Sequence, residues 1–226
     1  MIILISVVFL QQIIIMFDIK KYEEIKDFIK KNHKFSQIIA ISKNHPKDSV
    51  INAINSGVRI FGENRVMEAK SKFDELKIEY PDLELHLTGP LQSNKVKLAT
   101  ELFDVFHTLD REKIAKEFYK YKDNLRNKKI FIQVNTGEEK NKSGINPSEL
   151  SDFKNFCIND INLKICGLMC IPPIDEDPLH HFKLLKNLAN KNKLEELSIG
   201  MSNDYKIALQ LNPAYIRLGT LLFGNR

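Results

Sequence analysis

From about residue 20 onwards, short apolar runs alternate with longer stretches in which apolar positions recur every three or four residues. The short runs predict strands at 37–42, 58–61, 83–87, 104–108, 129–134, 163–169, 195–199 and 214–218. The amphipathic stretches predict helices at 47–56, 63–77, 93–102, 110–124, 147–158, 176–192 and 202–211, with another at 20–31 ahead of the first strand. Asp110 before REKIA and Ser202 before NDYKIAL are side chains of the kind that cap helix starts. Regular β–α alternation implies an α/β fold with a parallel sheet, and about eight strands is the number that closes a (β/α)8 TIM-type barrel. An open doubly wound sheet would alternate too, but it gathers its ligand groups at one switch point. Here polar signatures follow many strands along the whole chain, and neither GxGxxG nor GxxxxGK[ST] occurs.

The opening MIILISVVFLQQIIIMF does not join this alternation. It lacks a basic n-region and a small-residue cleavage site, and Gln11 and Gln12 interrupt it. At about 17 residues it stands at the lower limit for spanning a bilayer. Residues 1–16 are therefore read as an apolar N-terminal extension, a tail or an over-extended start before Met16, and residues 17–226 as one barrel domain. A membrane anchor is the weaker reading of the same stretch.

The chain's 226 residues, 43% hydrophobic and 28% charged, suit one domain with an ordinary core. Its net charge of +5 comes from lysines interleaved with acids in the helical stretches. That is the pattern of solvated helix faces, whereas a nucleic-acid surface needs a clustered basic stripe with aromatics. Cys157, Cys166 and Cys170 form an odd set with neither a CxxC pair nor histidines at zinc spacing, as expected of reduced thiols in a cytoplasmic protein without a bound metal.

Two features suggest chemistry. Lys43 ends the apolar run QIIAISK, and alternation places it on the same side as Ile39 and Ile41, facing the barrel mouth if those isoleucines face the interior. A strand-end lysine is ordinarily a snorkelling side chain. When desolvated, however, such an amine loses its proton readily, and the neutral amine attacks an aldehyde. The second feature lies in the last thirty residues, where LSIGMSND (197–204) and YIRLGTLLFG (215–224) each run from a strand into small, amide-rich residues. Gly200, Ser202 and Asn203 open one helix and Gly219 with Thr220 follows the next strand, the usual phosphate position of such barrels. Arg217 faces opposite to Ile216 and Leu218 and needs an anion or acceptor, or else an ion-pair partner. An aldehyde that also carries a phosphate is pyridoxal 5'-phosphate.

Other polar stretches read blandly when taken alone. Glu63 or Asn64 in FGENRVMEAK would cap a helix, Ser93 or Asn94 would start one, and His86 would be a satisfied core histidine. The loop QVNTGEEKNKSGI (133–145) is long enough either to line a site or to be a surface loop.

Taken together, ISK (41–43), FGEN (61–64), HLTGPLQSNK (86–95), TLD (108–110), QVN (133–135), KSG (142–144), GLMCIP (167–172), LSIGMSND (197–204) and IRLGTLLFGNR (216–226) resemble the pyridoxal phosphate homeostasis proteins. These are single-domain barrels related to the alanine racemase barrel. So many motifs in order make the resemblance specific. It departs from the family pattern at Asn44 and His45, at Leu87 and Thr88, and in the apolar extension. The resemblance implies that Lys43 holds pyridoxal 5'-phosphate as an internal aldimine, that Asn64 lies beside the cofactor, and that Ser202, Gly219 and Thr220 hold its phosphate. Arg217 would reach either the phosphate or the ring nitrogen. The implied role is intracellular homeostasis of the cofactor, with apo-enzymes as partners that receive it and no efficient catalysis.

The competing reading is a pyridoxal phosphate-dependent amino-acid racemase. Racemisation needs a base on each face of the substrate carbon. Lys43 serves one face, the related racemases bring a tyrosine from a second domain, and this chain ends at the barrel. Tyr205 and Tyr215 are the tyrosines expected near the mouth. An arginine at the ring nitrogen would also weaken the electron sink.

Overall fold

The computed structural model describes residues 17–33 and 35–225. The expected extension at 1–16 lies outside the described residues. All eight strands form and close a barrel in sequence order. They are β1 (Gln37–Ile41), β2 (Ile60–Glu63), β3 (Glu84–Leu87), β4 (Val105–Leu109), β5 (Lys129–Gln133), β6 (Ile165–Met169), β7 (Glu196–Ser198) and β8 (Tyr215–Leu218). Every pairing is parallel, and β8 returns to β1 in the register Gln37↔Tyr215 through Ala40↔Leu218. The predicted spans hold to within two or three residues. β2 differs most, running on to Glu63 because Phe61, Gly62 and Glu63 continue the ladder with β3.

The helices are α1 (Ile19–Asn32), α2 (Lys47–Asn55), α3 (Val66–Glu79), α4 (Val96–Leu102), α5 (Glu112–Tyr119), α6 (Leu150–Asn155), α7 (Pro178–Lys191), α8 (Tyr205–Leu209) and α9 (Thr220–Phe223). In α1, Asp18 Oδ1 accepts from the Lys21 N–H at 2.9 Å, and Tyr22, Ile25 and Ile29 form the buried stripe. Phe17 meets Phe223 edge-on at 5.3 Å, joining the start of the described chain to its end. In α7, Asp177 caps and Pro178 supplies a first-turn residue with no N–H to satisfy. The caps expected at Asp110 and Ser202 do not form. Arg111 and Asp204 occupy the N-cap positions, Asp110 turns to the Arg111 guanidinium, and Ser202 faces another element.

Strand alternation divides the core in two. Ile38, Ala40, Phe61, Leu85, Ile216 and Leu218 pack outward against the helices, while Ile39, Ile41, Val105, Phe131, Met169 and Tyr215 fill the barrel. Gly62 also faces inward, where a Cβ would meet Ile41 Cδ1 at 2.4 Å and Ile39 Cγ2 at 2.8 Å, so only glycine lets these isoleucines approach β2.

The barrel interior also carries polar groups in the half nearest the strand starts. Lys129 Nζ donates to both oxygens of Glu196 at 2.9 Å. His86 Nε2 lies 2.6 Å from Glu84 Oε1, and His86 Nδ1 lies 2.8 Å from His107 Nε2. Two neutral rings account for this chain. His86 donates through Nε2–H to the carboxylate and accepts at Nδ1 from His107 Nε2–H. His107 Nδ1 is then left over, and among the described residues this buried atom has no hydrogen-bond partner. His86 is thus the satisfied core histidine expected. His107 stacks on Phe131 at 4.8 Å with the planes only 5° apart.

Burial lowers the pKa of both rings, His107 the further. The unfolded chain then takes up protons below its ordinary histidine pKa of about 6.5 that the folded barrel refuses. This contribution is full above that pH and is lost as pH falls below it. Buried Glu63 and half-buried Asp110 and Asp204 have raised pKa values from desolvation and act in the opposite sense, so a variant must isolate the histidine. Between pH 7 and 5, thermal denaturation should show a shallower loss of Tm for His107→Phe than for wild type. Parallel slopes would show that His107 titrates normally.

Candidate functional site

Closure of the barrel brings together segments from the two ends of the chain. Lys43 lies half-buried in the turn directly after β1, and Gly219 follows β8 next door. A Cβ on Gly219 would stand 3.5 Å from both the Cβ and the carbonyl oxygen of Ile41. Ile39 and Ile41 face the interior, and Lys43 follows in the turn beyond the strand end.

The loop after β7 reaches the same place. Gly200 adopts φ +90°, and a Cβ there would lie 2.6 Å from the Cβ of Ala208, so the loop turns tightly onto α8. The Gly200 carbonyl accepts from the Arg217 N–H at 2.9 Å. Ser202 Oγ accepts from the Leu221 N–H at 3.4 Å, tying this loop to the first turn of α9. First-turn amides have no acceptor within their own helix, and the Leu221 N–H finds one in Ser202, one residue after Thr220. Asp204 accepts from the Met201 N–H and holds the loop from below.

Arg217 lies inside the barrel wall with 5% of its surface exposed. Nη1 donates to the Ser198 carbonyl and hydroxyl, each at 2.7 Å, and Nη2 donates to the Cys170 carbonyl at 2.9 Å. Among the described residues no salt bridge reaches it, so the ion-pair reading is replaced by a charge held on neutral oxygens. Burial lowers its pKa, opposed by the more distant Cys170 and Asp204. A buried cation with only neutral acceptors suits an anionic or lone-pair acceptor on a ligand.

Local hydrogen bonds tie the remaining motifs. Asn64 does not cap α3; its Oδ1 accepts from Thr88 Oγ1 at 3.0 Å. Thr88 N–H donates to the Glu63 carbonyl at 2.8 Å, and Thr108 Oγ1 to the Gly89 carbonyl at 2.7 Å. The 133–145 loop folds back on its own strand. Ile145 N–H donates to the Gln133 carbonyl at 2.8 Å, and Gln133 Nε2 to the Ser143 carbonyl at 3.0 Å. FGEN, HLTGP, TLD, QVN, KSG, GLMC and the two C-terminal motifs thus all lie at the strand ends.

Glu63 was expected as a helix cap and is instead a fully buried strand residue. Its Oε1 accepts from Ser42 Oγ at 2.7 Å and from Lys72 Nζ at 2.9 Å. Burial raises its pKa against the pull of Lys72. Burial would also raise Glu68, but hydrogen bonds from Lys72 and the Asn44 N–H outweigh it and leave that carboxyl lowered. The only sequence signal for this cluster is an acid inside an apolar strand followed by Glu68 and Lys72 at i,i+4 spacing. Tyr215 was expected near the mouth, but as the first residue of β8 it sits deep in the barrel. It packs edge-on to His86 and His107, its hydroxyl is 3.4 Å from Lys129, and burial pushes its pKa to about 12.

Among the described residues, no group of three or more His, Cys, Asp or Glu is arranged to hold a metal ion, and no helix is long and apolar enough to cross a membrane. The three cysteines are free thiols, and Cys157 and Cys170 are buried. A cavity of about 510 Å³ between α1 and the starts of β1 and β2 contains none of the motif residues.

This arrangement defines a class: a (β/α)8 barrel with a lysine after its first strand and small-residue loops after its last two. The family described as alanine racemase, N-terminal domain, matches residues 20–226. A pyridoxal phosphate homeostasis protein of Vibrio alginolyticus is 37% identical over 201 residues, covering 84% of this chain and 86% of the relative. Its namesake from Vibrio cholerae is 39% identical over 201 residues, covering 84% and 85%. PipY of Synechococcus elongatus PCC7942, solved without PLP, superposes with a TM-score of 0.81 at 35% identity, covering 89% of this chain and 99% of PipY. With PLP bound the TM-score is 0.77 at 33% identity, covering 90% and 100%. The alanine racemase of Acinetobacter baumannii shares the fold, with a TM-score of 0.71 at 19% identity, covering 93% of this chain and 63% of the racemase. The chain belongs to the pyridoxal phosphate homeostasis protein family, within the wider alanine racemase N-terminal domain family.

Gly200→Ala should destabilise the protein by about 2 kcal/mol or more, because it adds a steric clash to a strained backbone. Gly57 has a similar φ of +88° but open space around it, so Gly57→Ala should cost only about 1 kcal/mol. Urea denaturation midpoints of the two variants test the difference, and equal shifts would remove the close approach to Ala208 as its cause.

Proposed function

We propose that this protein binds pyridoxal 5'-phosphate and serves the intracellular homeostasis of that cofactor without being an efficient enzyme. The observation that carries the proposal is the β1–β8 closure, which sets Lys43 beside the loops carrying Ser202, Gly219 and Thr220. The names of the curated relatives, and PipY solved with PLP bound, support the same reading.

The residues present fit the cofactor. Among the described residues the Arg217 guanidinium has neutral hydrogen-bond partners only, and the loop after the Gly200 turn brings Ser202 to the Leu221 amide, beside Thr220 in sequence. When bound, the cofactor supplies an aldehyde for condensation with a lysine amine and a phosphate dianion for the cradle. Lys43 is the amine that holds it covalently. Asn64, fixed by Thr88, lies alongside. Ser202, Gly219 and Thr220 bind the phosphate through hydroxyls and amides, and Arg217 serves the phosphate or the ring nitrogen. Recipient apo-enzymes and a cytoplasmic location complete the proposal.

The absence of efficient catalysis rests on proton transfer. Two-sided proton exchange needs a second base opposite Lys43. Tyr215 is locked in the barrel interior, leaving Tyr205, half-buried at the start of α8, as the tyrosine near the loops.

Borohydride reduction of the loaded protein followed by peptide mass spectrometry should place the cofactor's mass on Lys43, and Lys43→Ala should lose the visible absorbance band. Labelling of another lysine with a full band retained in Lys43→Ala would overturn the assignment. Losing a charge-assisted contact costs roughly 1.5–3 kcal/mol, about one to two decades in affinity. Folded Arg217→Gln should therefore release cofactor ~10- to 100-fold more readily, and unchanged dissociation would exclude contact by that side chain. With a panel of amino acids, racemisation, transamination and decarboxylation should stay far below the roughly 1–1,000 per second of ordinary enzymes. Turnover in that range, abolished by Lys43→Ala and Tyr205→Phe, would establish the racemase reading instead.

A further inference from the structure

The residues on either side of Lys43 are anchored from outside the barrel. Ser42 is fully buried. Its N–H donates to the Gly62 carbonyl at 3.1 Å, its hydroxyl to Glu63 Oε1 at 2.7 Å, and its carbonyl accepts from Lys72 Nζ at 2.8 Å. Asn44 adopts φ +61° and its N–H donates to Glu68 Oε1. Lys72 Nζ joins the two sides, since it also donates to Glu63 Oε1 at 2.9 Å and to Glu68 Oε1 at 2.8 Å. An ammonium has three protons, and these three acceptors use all of them. One buried cation on α3 therefore grips the loop just before Lys43 directly and the loop just after it through Glu68.

Stability alone is a poor reason for such a cluster. Lys72 is 6% exposed and Glu63 is not exposed at all, and well-packed apolar side chains in place of a buried ion pair are often as stable or more so. Among the described residues Glu63 Oε2 has no hydrogen-bond partner, a further cost. What the ions supply, and apolar groups cannot, is directed hydrogen bonds to the Ser42 carbonyl and the Asn44 amide.

We propose that Glu63, Glu68 and Lys72 are positioning residues for Lys43, holding its backbone so that its amine meets a bound aldehyde in reactive alignment. This rests on the reading of Lys43 as the cofactor-linking amine. The condensation forms a C=N bond and expels the carbonyl oxygen as water with no change of oxidation state. Attack requires approach to about 3–3.5 Å with correct alignment. A loop free to shift by an ångström loses that alignment while the phosphate cradle, built from β7 and β8, stays intact.

The test separates linkage from binding. Wild type, Lys72→Met, Glu68→Gln and Ser42→Ala would each be titrated with pyridoxal 5'-phosphate and with 4'-deoxypyridoxine 5'-phosphate, which has a methyl group in place of the aldehyde. Far-ultraviolet circular dichroism confirms folding, and the two milder variants carry the test if Lys72→Met fails to fold. The expected result is that pyridoxal phosphate binds about tenfold more weakly and the visible band appears about tenfold more slowly, with a smaller effect in Ser42→Ala. Affinity for the deoxy analogue should stay within about twofold of wild type. Unchanged linkage in folded variants would overturn the proposal, and so would equal weakening of both ligands, the signature of a merely structural role. A wild-type protein that binds both ligands but gives no adduct on Lys43 overturns the assignment of Lys43 itself, so the two failures are distinguishable.

Discussion

The parallel ladder between β1 and β8 turns a chain of βα units into a site. Before closure each strand has an unpaired edge whose amides and carbonyls need partners, and the pairing of Gln37–Ala40 with Tyr215–Leu218 satisfies both edges at once. The same register is reinforced from below, where Ser36 Oγ donates to the Pro213 carbonyl at 2.6 Å across a sequence separation of 177. Because side chains alternate, a slip of one residue would exchange Arg217 with Ile216 or Leu218 and send a charge into the apolar layer under the helices. The register that buries the correct apolar faces is therefore also the one that sets Gly219 against Ile41, two residues before Lys43.

Two buried cations sit on opposite sides of the barrel wall. Arg217 points inward and is held by carbonyl and hydroxyl oxygens of β7 and the β6 end, so it joins three neighbouring strand ends. Lys72 lies outside, between α3 and the wall, and its partners are two carboxylates and a carbonyl. The difference in partners is a difference in what each can still do. Lys72 has spent its donors within the protein and serves geometry, whereas Arg217 makes no salt bridge among the described residues and keeps an electrostatic demand that a ligand can meet.

Likeness to alanine racemase concerns the barrel, and a shared fold does not by itself establish a shared chemistry. Strand position places Tyr215 in the aromatic and histidine layer beside Phe131, away from the loops at the strand ends.

The strands and helices were legible in the sequence because burial imposes periods of two and 3.6 on side chains, and those periods survive without any knowledge of partners. Ile39, Ile41 and Arg217 face inward, and Ile216 and Leu218 outward, as alternation alone requires. The positions of the motif loops were legible because turn-forming and polar residues interrupt the apolar periods between strand and helix. Hydrogen-bond partners were not legible. Glu63 and Asn64 look like helix caps in one dimension, yet their partners are Ser42, Lys72 and Thr88 on other elements. Ser202 likewise serves Leu221 in place of its own helix. A cap depends on residues three positions away, which local sequence can display. These contacts depend on strand register and barrel closure, which bring together polar groups 9 to 24 positions apart and decide which of them meet.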